Sequence, residues 1–135
     1  VDVDIPICPV CGGIGLLKRR NFISGRDSDT EWVWVCPNYP ECDTYVGCYP
    51  STPNPLGTMA NRKLRQLRCI AHKSFDRLWK SGRMTRSKAY TELALFLGVR
   101  KRMAHIGMLD EDGCRRVIEE FNKRRSFRYK VPKMV

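Results

Sequence analysis

A chain of 135 residues, 42% of them apolar, has room for one domain or two very small ones and is too apolar to be wholly disordered. No apolar run is long enough to cross a membrane and no charged-then-apolar leader opens the chain, so neither an anchor nor a secretion signal is expected. The net charge of +11 is segregated: residues 1–50 hold four basic side chains against seven acidic ones, and residues 51–135 hold twenty-one against seven.

That asymmetry predicts an anionic partner for the second part, with nucleic acid as the default, rather than a small-molecule substrate. The seven cysteines are an odd number and include a CxxC pair. Both features favour metal over a disulfide framework, and hence a reducing, cytoplasmic setting.

The first feature in chain order is Cys8-Pro-Val-Cys11-Gly-Gly. Two thiolates three residues apart grip one ion when the chain turns tightly, and the glycines permit the positive φ of such a turn. A second pair, Cys36-Pro-Asn-Tyr-Pro-Glu-Cys42, closes the tetrahedron. Between the pairs, residues 14–20 predict a strand, 21–30 a loop, and 31–36 a strand with Trp32, Trp34 and Cys36 on one side and Val33 and Val35 on the other. A third short strand is expected over 43–48.

If residues 42–48 are extended, Cys42 and Cys48 lie about 20 Å apart, at about 3.3 Å per residue. They then cannot share an ion whose bonds to sulfur are about 2.3 Å. The expected ligands are Cys8, Cys11, Cys36 and Cys42, with Cys48 a spare thiol; a disulfide pairing is the alternative. Four thiolates leave no open coordination position, so the expectation is one structural Zn2+ that staples a core too small to hold alone.

"CPVCGG", a basic strand and "WVCPNYPEC" resemble the four-cysteine zinc ribbons at the C-terminus of bacterial type IA topoisomerases, over about residues 8–46. The resemblance implies a ribbon that contacts single-stranded DNA or RNA polymerase. The first loop here departs from a basic pattern with Asp27, Asp29 and Glu31.

Residues 51–60, rich in proline, predict a linker or rigid loop. A helix is expected from near Asn61 to near Gly82, with Ala60, Leu64, Leu67, Ala71, Phe75 and Leu78 as its apolar stripe. A second should run over 85–97, capped by Thr85 or Ser87, ended by Gly98, and buried through Ala89, Tyr90, Leu93, Ala94 and Leu97. Asp110 predicts the N-cap of a third, with Cys114, Val117, Ile118 and Phe121 inward, so that residues 61–121 form a helical unit. Residues 122–135 read as a basic tail in which Phe127 and Tyr129 interleave with cations, a composition able to neutralise phosphates and stack bases.

The ordered motifs "CPVCGG", "YVGCYP", "PLGTMANRKLR", "AHKSFDRLW", "AYTELALFLG" and "HIGMLD" also resemble a phage and bacterial family described only as zinc-finger-containing. That likeness implies a zinc site and an origin in phages or mobile elements, and little about activity.

The fold expected is therefore α+β: a zinc ribbon of short antiparallel strands over residues 1–50, a three-helix unit and a basic tail. The function expected is non-catalytic nucleic-acid binding. Arg62, Lys63, Arg65, Arg68, Lys73, Lys123, Arg124, Arg125 and Arg128 would meet phosphates, and Trp32, Trp34 and Tyr39 would stack. The alternative is a protein-interaction module, such as a phage-encoded inhibitor or adaptor gripping host RNA polymerase or a defence complex. A third reading, a nuclease centred on His72, Asp76 and His105, lacks the clustered carboxylates of hydrolytic metal sites.

Overall fold

The computed structural model describes residues 4–130, with side chains through Arg124. The chain forms two compact units, Val1–Arg65 and Gln66–Val135.

The first unit is built on a three-stranded antiparallel sheet, β1 (Leu16–Arg19), β2 (Trp32–Val35) and β3 (Tyr45–Gly47), with β2 in the centre. Each strand falls within its predicted range. The β1–β2 connection, predicted as loop, includes a one-turn helix, α1 (Asn21–Ser24). The register sets Leu17, Trp34 and Val46 on one face and Leu16, Val35 and Tyr45 on the other. As the central strand, β2 is buried on both faces: Val33, Trp34, Val35 and then Cys36 are all inside. The core of the unit is Cys8, Trp34, Cys36, Val46 and Met59, with Cys42 and Cys48 packed against it.

The proline-rich stretch 51–60 is a loop folded back on this sheet. Leu56 N donates to Gly47 O at 2.9 Å, Ala60 pairs with Tyr45, and Met59 is fully buried. Proline carbonyls still accept hydrogen bonds, and Pro53 O takes the Trp34 indole N–H at 2.7 Å.

Three longer helices follow: α2 (Arg62–Lys80), α3 (Arg86–Leu97) and α4 (Glu111–Lys130). Each start is capped by a side chain, as expected for Thr85 and Asp110. Asn61 Oδ1 accepts from Leu64 N, Thr85 Oγ1 from Lys88 N, and Asp110 Oδ1 from Gly113 N. Gly98 ends α3 in the left-handed region at φ 69°. The division between units falls in the first turn of α2, so Ala60 and Met59 serve the sheet core, while Ala71, Phe75 and Leu78 serve the helical one.

In the second unit Phe75 meets Tyr90 and Phe121 edge-on at 4.9 and 5.4 Å, and Phe96 meets Phe121 at 5.8 Å. Ala89, Leu93, Cys114 and Val117 complete the packing, with Ala104 and Ile106 from the α3–α4 connection. Helix α4 continues through Lys130, so residues 122–130, read from sequence as tail, extend the helix; no proline or glycine interrupts them before Pro132. Phe127 and Tyr129, the expected stacking residues of that stretch, have side chains outside the described residues, as do residues 131–135. Among the described residues no helix is long and apolar enough to cross a membrane.

Phe121 is fully buried between two other rings, so Phe121→Ala is expected to cost about 3–5 kcal/mol in equilibrium denaturation. Asp110→Ala, which removes one cap, should cost about 1 kcal/mol in the same measurement.

Candidate metal centre

Two knuckles bring four sulfurs together. In the first, Ile7 pairs with Ile14 across the turn, and Gly12 takes φ 77°, a conformation that favours glycine. In the second, Tyr39 N donates to Cys36 O and Cys42 N to Asn38 O, and the Tyr39–Pro40 peptide is cis. The knuckles pack tightly: a Cβ on Gly13 would stand 2.7 Å from Pro37 Cγ.

The Sγ atoms of Cys8, Cys11, Cys36 and Cys42 all lie within 4.8 Å of one another. Cys8 and Cys42 approach to 3.5 Å, and Cys11 and Cys36 to 3.3 Å. A tetrahedral ion with sulfur bonds of about 2.3 Å needs sulfurs about 3.8 Å apart, so the group fits one ion with small adjustments. Cys48 stands apart from this group in the half-buried rim of the core, where burial, with Glu31 nearby, raises its pKa.

The polar shell around the sulfurs is arranged for anionic ligands. The Cys11 amide points to Cys8 Sγ at 3.5 Å and the Asn38 amide to Cys36 Sγ at 3.4 Å. Asn38 Nδ2 donates to Cys11 Sγ at 3.4 Å. Thr44, wholly buried, sets Oγ1 3.0 Å from Cys8 Sγ and donates to it once that sulfur is a thiolate. Burial alone would push Cys8 up, but the Thr44 hydroxyl and the Cys11 and Val10 amides bring it to about 6. Cys11 is lowered, first by Asn38 and then by the Gly13 amide. Cys36 is raised by burial, and Cys42 is pushed up to about 12 by burial and by the neighbouring sulfurs of Cys8, Cys36 and Cys11. The cluster thus combines two sulfurs whose surroundings favour the thiolate, Cys8 and Cys11, with two whose surroundings favour the thiol, Cys36 and Cys42.

Neither Thr44 nor the side-chain role of Asn38 was read from the sequence. The signal for Thr44 was its place two residues after Cys42, which in extended chain returns its side chain to the ligand's side.

The expected nucleic-acid contacts divide. Arg62, Lys63, Lys73 and Lys123 are exposed. Trp34 is a core residue, 8% exposed, and Arg68 is buried with Nε and Nη2 donating to Leu109 O at 3.1 and 2.9 Å. Arg65 donates to the carbonyls of Asp43 and Ala60 and lies 3.8 Å over the Tyr45 ring. Arg124 pairs with Glu120 and Glu92 at 2.7 and 3.3 Å. Trp34 and Arg68 are thus buried, whereas Arg65 and Arg124 are half-buried and engaged with partners on the chain. Trp32 is half-buried with the Arg19 guanidinium 3.4 Å over its ring, and Tyr39 sits between Phe22 and Tyr45 at 5.9 and 6.4 Å. The side chains of Arg125 and Arg128 lie outside the described residues.

Burial lowers the pKa of His72, offset by Asp76. The Asp76 oxygens turn to Trp79 Nε1 at 3.2 Å and Lys80 Nζ at 3.6 Å. His105 is exposed.

Thr44→Val keeps the volume and removes the hydroxyl, so it should weaken zinc affinity about 10–100-fold in competition titrations against a chromophoric chelator. The same titration should show affinity rising with pH, because binding releases the protons held by Cys36 and Cys42.

No curated protein matches the chain, and neither does any solved structure. The family of zinc-finger-containing domains matches it over residues 4–124, a span that takes in both knuckles, α2, α3 and α4 as far as residue 124. With four cysteines gathered as a metal-binding group inside that span, the chain belongs to the zinc-finger-containing domain family.

Proposed function

We propose that this is a non-catalytic protein in which one structural Zn2+ organises the first unit and the basic helices bind nucleic acid. The observation that carries the second part is the distribution of charge. Residues 1–65 hold seven basic and seven acidic side chains, so all of the net +11 belongs to residues 66–135. Self-repulsion of that size opposes folding, and a polyanion relieves it. A closed set of four thiolates supports a structural rather than a catalytic ion, since no coordination position is left for water or substrate.

A second reading, a protein-interaction module, draws on the first unit. It is neutral overall and exposes Ile5, Ile7, Val10 and Ile14 around the first knuckle, where Ile7 and Ile14 are directly paired. Such a surface suits a protein partner better than a phosphate backbone.

Protein purified under reducing conditions should contain one zinc per chain, and a strong chelator or Cys36→Ser should abolish the near-ultraviolet signal of the buried Trp34. Binding to a labelled oligonucleotide should weaken steeply as salt rises, with a slope reporting several phosphate contacts. Affinity that stays flat with salt, together with a stoichiometric protein captured from nuclease-treated host lysate, would favour the second reading.

A further inference from the structure

The helical unit also exposes cations that the sequence pattern did not single out. Between Asp76 and Asp110 the chain has a single acidic residue, Glu92, and it is paired with Arg124 at 3.3 Å. The same stretch carries Arg77, Arg86, Lys88, Arg100, Lys101 and Arg102, all exposed.

The fold gathers most of these at one corner. The α2–α3 turn brings Arg86, the first residue of α3, over the Trp79 and Tyr90 rings at 5.6 and 4.7 Å. Its neighbour Ser87 is tied through its Oγ to Lys101 Nζ, which fastens the 3-10 turn Lys101–Met103 beside the start of α3. Arg86 and Lys88 are thereby set beside Arg100, Lys101 and Arg102, and the one carboxylate in this stretch of chain, Glu92, is paired with Arg124.

We propose that this corner, formed by the start of α3 and the 3-10 turn, is the surface that takes a nucleic-acid backbone, with Arg100, Lys101 and Arg102 as its principal phosphate contacts. The inference rests on the nucleic-acid reading above and locates it. Guanidinium groups predominate here, and their planar donor forks match phosphodiester oxygens in a way that a solubilising surface does not require. Concentrated like charge without local acidic partners is also costly to maintain unless an anion is bound. Exposed Val99 and Met103 flank the cluster, so binding to anionic lipid vesicles is the competing outcome of the test.

The test uses the full-length, zinc-loaded protein and fluorescence anisotropy with a mixed-sequence oligonucleotide, single-stranded and duplex, across a salt series. Arg100→Gln/Lys101→Gln/Arg102→Gln should weaken binding about tenfold or more at moderate salt and flatten the salt slope by about two to three. Arg62→Gln/Lys63→Gln/Lys73→Gln, matched in charge, should retain most of the affinity. Because Lys101 holds Ser87, Arg100→Gln/Arg102→Gln is measured as well, and it should lose binding with an unchanged melting temperature. Equal losses in the two triple variants, or none in the corner variants, would overturn the location while leaving nucleic-acid binding intact. A wild-type protein that ignores both oligonucleotides would overturn both, as would one that binds only phosphatidylserine vesicles.

Discussion

The first unit depends on four sulfurs being held within 4.8 Å of one another. Thiolates at that spacing repel, and thiols at that spacing offer only weak hydrogen bonds, so neither state alone gives the knuckles a reason to meet. A divalent cation reverses the sign of the interaction. The surroundings are consistent with that reversal: two backbone amides, the Asn38 side chain and the buried Thr44 hydroxyl all direct donors at sulfur. Cys8 and Cys36 are also members of the small core, beside Trp34, Val46 and Met59. Loss of the ion would therefore remove part of the hydrophobic interior along with the crosslink, which couples metal binding to folding.

The second unit obeys a different constraint. Its interior is an ordinary aromatic and aliphatic core built from α2, α3 and α4, centred on Phe75 and Phe121, and needs no ion. Its surface, by contrast, carries uncompensated positive charge. Internal partners account for some of it. The Arg68 guanidinium is spent on the Leu109 carbonyl and that of Arg124 on two carboxylates, so these side chains are part of the packing.

Much of this was legible in the sequence, for identifiable reasons. The ligand cysteines were readable because metal geometry restricts spacing, and the exclusion of Cys48 followed from strand rise alone. Two helix starts were readable because Thr85 and Asp110 are polar caps before apolar periodicity, and each accepts a first-turn amide; the Asn61 cap was added by the structure. What failed was the assignment of individual side chains to surface or interior. Trp34 was expected to offer stacking surface, but β2 is the central strand of the small three-stranded sheet and is covered on both faces, which takes Trp34 inside. Periodicity in α2 put Arg68 among the surface cations, but long arginine side chains can bury when a carbonyl receives them, and no local pattern announces a partner forty-one residues away.

The same difficulty explains why runs of basic residues are a poor guide to where an anion would sit. In α2 the cations are interleaved with residues that pack, so some are recruited inward, as Arg68 is. The 3-10 turn Lys101–Met103 has no buried residue, and its three side chains are exposed. Arg100, Lys101 and Arg102 are therefore not drawn into the core, and the tie from Lys101 to Ser87 keeps the turn in one place beside α3. A charged segment that is both excluded from the interior and fixed in position loses little further entropy when it meets a rigid polyanion, which is the property a backbone-binding surface requires.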